Sequence, residues 1–135
     1  MNPNAAMRQI LAADSSLSTE VSSKFYGMPG LARDALDSKA VSFRVSASER
    51  DNTGALLNVT YDVACWGGNP ASVDAVGNAW GVYDKVFAAL DGKTNMSVAA
   101  GYLIEMTEVQ PGIDAWHEDI DRPYVAAQYQ AIFRR

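Results

Sequence analysis

The chain has 135 residues, 48% of them apolar and 20% charged, which fits one globular domain over 1–135 able to hold its own core. No run approaches the roughly 20 apolar residues of a membrane-crossing helix, the start MNPNAAMRQI lacks a leader pattern, and the lone Cys65 excludes an internal disulfide framework or a Cys-rich metal site. A formal net charge of −5, with eleven scattered basic residues, argues against a protein that grips nucleic acid through clustered Lys and Arg.

Residues 3–13 read as a first helix, with Met7, Ile10 and Leu11 on one face among helix-favouring alanines. Leu17, Val21 and Phe25, four apart, suggest a short second helix. Tyr26-Gly27-Met28-Pro29-Gly30 is a loop signal, and 31–39 carries no clear period. Val41, Phe43, Val45 and Ala47 alternate with Ser42, Arg44, Ser46 and Ser48, the period of a half-buried strand. The polar stretch 49–54 ends in Gly and reads as a hairpin loop. Leu57, Val59, Tyr61, Val63 and Cys65 mark a second strand, which ends at Trp66 before Gly67-Gly68.

The stretch 69–92 (NPASVDAVGNAWGVYDKVFAALDG) predicts a long helix over about 70–90. Val73, Val76, Trp80, Tyr83, Phe87 and Leu90 recur every three or four residues and define the face that should meet a sheet. Asn69 suits the N-cap, Pro70 the first turn and Gly92 the left-handed closing position. Gly77 and Gly81 cost helix propensity and suggest a close approach to a neighbouring element. A third strand follows over 98–107, Gln110-Pro111-Gly112 breaks it, 113–123 reads as a polar loop, and a last strand runs over 124–133. The expected architecture is α+β: two β-hairpins forming a four-stranded sheet, packed by the long helix and the N-terminal helix.

Chemistry-bearing patterns are thin. Gly92-Lys93-Thr94 lacks the preceding Gly and the following helix of a phosphate loop. His117 is the sole histidine, with no serine in a nucleophile-elbow context. Asp114, Glu118, Asp119 and Asp121 could bind a hard cation but lack the Gly and Glu of a calcium loop, and a solvated acidic loop explains them. No catalytic, cofactor or metal residue is expected. Trp116, amid these acids, either folds back on the sheet or meets a partner; Trp66 either caps the core edge or sits in a subunit contact.

The order of elements, Asp-Ser-Ser-Leu at 14–17, Phe25-Tyr26-Gly27, Cys65-Trp66 before the long helix, Ala88-Ala89-Leu90-Asp91 at its end, Gly101-Tyr102, and the acidic loop with a Trp before a closing aromatic strand together resemble the tail terminator (tail completion, or tail-to-head joining) proteins of long-tailed bacteriophages. The resemblance covers nearly the whole chain, is architectural, and departs from the usual pattern in 28–39. It implies a non-enzymatic virion protein without cofactor. Such a protein is assembled in the host cytoplasm as a hexameric ring on the head-proximal end of the tail. Its partners are the tail tube protein, a neck or head-completion protein, and genomic DNA that passes through the lumen unbound; no membrane is involved. Six copies would carry about six times −5, roughly −30. Candidate contacts are Glu49, Arg50, Asp51, Asn52, Trp66 and Trp116; candidate lumen acids are Asp114, Glu118, Asp119 and Asp121. The competing expectations are another head-tail connector or neck protein, a tail tube subunit, or a small α+β enzyme or ligand-binding domain.

Overall fold

The computed structural model describes residues 1–27, 36–99 and 101–135. The elements run α1 (Pro3–Ala12), α2 (Ser15–Glu20), β1 (Phe25–Gly27), β2 (Lys39–Arg50), β3 (Leu56–Gly67), α3 (Ala75–Leu90), β4 (Thr94–Val98), β5 (Gly101–His117) and β6 (Arg122–Arg134). They build one curled six-stranded sheet in the order β1-β2-β3-β6-β5-β4, antiparallel except where β1 runs parallel to β2. Strands take 49% of the described residues and helices 26%. The expected four-stranded sheet organised by one long helix is therefore wrong. The sheet is larger, mixed and dominant, and three helices pack on one of its faces.

Three strand signals hid this. The alternation over 98–107 contains a hairpin: Val98 pairs with Gly101, so β4 and β5 share a pattern that looked like one strand. Gln110-Pro111-Gly112 does not end β5. The register slips between Glu108 and Ile113, a bulge absorbs the Pro and Gly, and pairing with β6 resumes to His117. Gly112 is required there, because a Cβ would lie 2.8 Å from Val125 Cγ1 and 3.0 Å from the Tyr83 ring. Phe25 belongs to β1 rather than to a second helix. The unpatterned region 28–39 lies outside the described residues as far as 35; Lys39 already belongs to β2.

α1 starts as its sequence suggests, with the Asn2 side chain accepting the N–H groups of Asn4 and Ala5 at 3.0 and 3.3 Å. α3 starts five residues later than expected. Asn69 caps a separate turn, accepting from Ala71 N–H at 3.0 Å, and Asp74 caps the helix through Gly77 N–H at 3.1 Å. Gly92 closes the segment at φ 76°.

The buried face of α3 is also not the aromatic stripe. Ala75, Ala79, Val82, Val86, Ala89 and Leu90 face the core, while Val73, Val76 and Phe87 are 46%, 47% and 41% exposed. Small residues win because the helix crosses Gly67 at backbone distance: a Cβ there would sit 1.9 Å from Ala75 O. The close approach thus comes from a strand glycine, and Gly81 faces open space. Trp80 and Tyr83 flank the contact and reach sideways to β5.

The core lies between these helices and the odd-numbered residues of β3 and β6, from Leu57 to Cys65 and from Val125 to Phe133. Tyr61 is buried, its hydroxyl donates to Pro3 O at 2.7 Å, and burial pushes its pKa up. Cys65 is fully buried, which raises its thiol pKa and keeps it inert.

Candidate functional site

The tip between β2 and β3 carries Glu49, Arg50, Asp51 and Asn52 into solvent. Asp51 holds it shut: its carboxylate accepts the Leu56 N–H at 3.2 Å and the Thr53 hydroxyl at 2.9 Å. The Leu56 N–H, then the Thr53 hydroxyl, keep its pKa below the usual carboxylate value. The tip is thus locally closed, and its other side chains are free to meet another molecule.

The four candidate acids do not share one surface. Asp114 lies on β5, on the helix side, where its carboxylate accepts Trp80 Nε1–H at 2.7 Å. Glu118, Asp119 and Asp121 belong to the turn between β5 and β6, at one end of the sheet. The expected polar loop is strand as far as His117, which is why Asp114 parts from the others. Among the described residues no group of three His, Cys, Asp or Glu side chains could hold a metal. Trp116 is 50% exposed on β5, opposite Pro123.

Trp66 is placed inside the chain rather than at its surface. It is 2% exposed, donates Nε1–H to the Ser42 hydroxyl at 2.9 Å, and packs at 4.6 Å on Tyr124. With Leu36 and Ala40 it forms a small second core on the helix-free face. Beside it runs an open groove of about 360 Å³ along that face, bounded by Ser42, Arg44, Asp62, Gln110, Gln128 and His117. Ser, His and Asp thus line one groove, yet no hydrogen bond relays them. Ser42 Oγ accepts from Trp66, and Asp62 accepts from Arg44 at 3.1 Å and Gln128 at 2.8 Å. His117 Nδ1 is buried without a partner. That is not the geometry of a nucleophile–base–orienter chain.

Two polar arrangements had no sequence signal. Glu108 sits on the helix side of β5, and one of its carboxylate oxygens accepts the Tyr83 hydroxyl at 2.6 Å and the Tyr129 hydroxyl at 2.9 Å. Burial, then the bond to Glu108, pushes Tyr83 up to about 12 and Tyr129 further still. The Arg122 guanidinium, 5% exposed, donates to Asp37 at 2.6 Å and to the Asp121 carbonyl at 2.9 Å, tying the β5–β6 turn to the segment before β2. Each joins residues far apart in sequence, so no local period could announce it.

The helix-free face is otherwise neutral and hydrogen-bonding. Asn58, Thr60, Thr107, Gln110, Gln128 and Gln130 share it, and its charged side chains include Arg44 and Arg134 against Glu49, Asp62 and Glu105. No helix of the described residues is long and apolar enough to cross a membrane.

No protein-family model and no curated protein matches the sequence. Among solved structures, the fold is similar to a chain from a structure described as the virion of a native gene transfer agent particle. The TM-score is 0.70 and the identity 20%, over 98% of this chain and 94% of that one.

Proposed function

We propose that this chain is a structural, non-catalytic component of a phage-like particle, a tail terminator that closes the head-proximal end of a tail tube as a hexameric ring. What carries the reading is a fold held in common with a virion component across nearly the full length of both chains, together with the tail-terminator resemblance of the sequence. The surfaces suit such a role. Val109, Ile113 and Trp116, 50–51% exposed, leave apolar area for partners along β5. The partners are further copies of the chain, the tail tube protein and a neck or head-completion protein, assembled in the host cytoplasm. DNA passes through the bore unbound.

In the ring the acidic turn at 118–121 lies at an end of the sheet and would ring a rim, where carboxylates repel phosphates entering or leaving. The test is the assembly of purified full-length protein. Light scattering and images down the symmetry axis are expected to give closed rings of six. Open-ended tubes would make it a tube subunit, and a monomer at micromolar concentration would remove the reading. Replacing 49–53 by a two-residue turn should leave the fold intact and abolish the rings or the capping of tubes.

A further inference from the structure

Every ring needs two different surfaces on each copy that fit one another. The inference here rests on the ring reading and concerns which surfaces those are. β1 covers the outer side of β2 only at 41–43, and β4 covers β5 only as far as Met106. Among the described residues, 44–50 of β2 and 109–117 of β5 therefore have no strand beside them, although Tyr83 engages Gly112 in the second. Open strand edges are templates for pairing. These two lie on opposite edges of the same sheet and at opposite ends of it.

We propose that residues 44–50 of one copy pair antiparallel with residues 109–117 of the next, so that the sheet runs on from copy to copy with the helices outside and the helix-free face toward the bore. Strand sense allows it: β2 and β6 run one way, β3 and β5 the other, so β5 of one copy meets β2 of a rotated copy antiparallel.

The offset also fits closure. Ile113, midway along its open segment, shares a rung with Ala126, Ala64 and Ser42. Ala47, midway along the other, lies further along β2 from that rung. Because a bulge between Val45 and Ala47 puts Ala47 opposite Thr60, four rungs from Ala64, joining Ala47 to Ile113 shifts neighbours by about 13 Å along the strands for about 19 Å across four strand spacings. The ratio gives a tilt of about 35°, within the range of closed barrels. Six repeats would enclose a bore about 45 Å wide between backbones, roomy enough for duplex DNA.

The hand agrees as well. Val41 points its side chain to the helix side and donates its N–H to Lys24 O beside β1. For an L-residue this sets β1 to the right of an upward β2 seen from the helices. The copy on the left then sits lower and the strands rise to the right, the sense that right-twisted strands adopt around a barrel. Placing the helices inside would require the opposite hand.

Faces and charges match. Ala47 and Ile113 both lie on the helix-free side, so the joint preserves which face is which, and a slip of one residue would not. Arg44, its side chain 62% exposed, would lie beside the end of β5, where Glu118 and Asp119 follow Trp116. The wall facing the bore would then be the row of Asn, Thr and Gln side chains, hydrogen-bonding and weakly charged, a surface along which DNA can slide.

The test uses full-length protein carrying Ala47→Cys and Ile113→Cys together, with Ala47→Cys plus Ala115→Cys as the pair for a two-residue slip. Native Cys65 is buried and cannot contribute. Mild oxidation of assembled rings is expected to give a ladder of disulfide-linked species up to the ring number, while each single variant stops at dimers. Rings that form normally yet never cross-link in either pair would overturn the edge pairing and leave the ring standing. Absence of rings in the unmodified protein would overturn both. Independently, Arg44→Glu should reduce ring formation at least tenfold at low salt, and Glu118→Lys in the same chain should restore it. Unchanged assembly of the Arg44→Glu variant would count against this joint.

Discussion

The two faces of the sheet are built from the same strands and ask opposite things of them. On the helix side, Tyr61, Tyr129, Phe43 and Phe133 are buried, and even the polar groups are tied off, two tyrosine hydroxyls on one Glu108 oxygen. On the other side the intervening residues are Asn58, Thr60, Gln128 and Gln130, backed by one small cluster around Trp66. The first face supplies stability, because burial of apolar area is the main favourable term in folding. The second is left available to solvent and to partners. Alternation along a strand therefore separates core side chains from those of the open face at every second residue.

The sharpest way to break this comparison is to truncate one residue on each face of β6. Phe133→Ala should cost about 3–5 kcal/mol through the cavity it leaves. Gln130→Ala should change stability by less than about 0.5 kcal/mol. Denaturant midpoints of the two variants decide it, and equal losses would mean the helix-free face is a second core. Next in size is Gly67→Ala, which puts a Cβ 1.9 Å from Ala75 O and 2.6 Å from Ala79 N. Backbone cannot yield as a side chain does, so a loss of about 3 kcal/mol is expected by thermal or chemical unfolding.

Glu108→Leu should cost about 2 kcal/mol, since it strips the acceptor from two tyrosine hydroxyls on the helix side. The same tyrosines predict an alkaline limit. Their folded pKa values are raised, Tyr83 to about 12, above the unfolded value of about 10. Their contribution is therefore complete below about pH 10 and is lost as pH rises through the folded value. Melting temperatures from pH 8 to 12 should fall only beyond about 10, and a flat profile would deny the burial. Smallest is Gly81→Ala. Its added methyl meets no atom within 4 Å, so a gain of about 1 kcal/mol in helix propensity is expected.

What the sequence made legible was local. The alternation at 41–47, 57–65 and 124–133 placed three strands, and Gly92 and the α1 face behaved as their chemistry requires. The misreadings share one cause: a pattern compatible with two tertiary solutions. α3 carries two adjacent apolar stripes at helical spacing, and bulk favoured the aromatic one. The sheet took the alanines because Gly67 lets the backbones touch. Pro111 and Gly112 signal a break in any window, yet a bulge with Tyr83 and Val125 closing over the glycine keeps β5 whole. Trp66 gave no clue that Ser42 and Tyr124, one on a neighbouring strand and one on another, would enclose it. Which surfaces stay open depends on strand neighbours that only the folded sheet defines.

The contact at Gly67 reaches beyond packing. It locks the first turns of α3 to the end of β3, and the Asn78 amide donates to Gly67 O at 3.3 Å across the same joint. Helix and strand are thereby cross-tied backbone to backbone. In the ring proposed above, a radial push on the exposed Phe87 or Val76 would reach the opposite face of the sheet through this joint rather than through side chains alone.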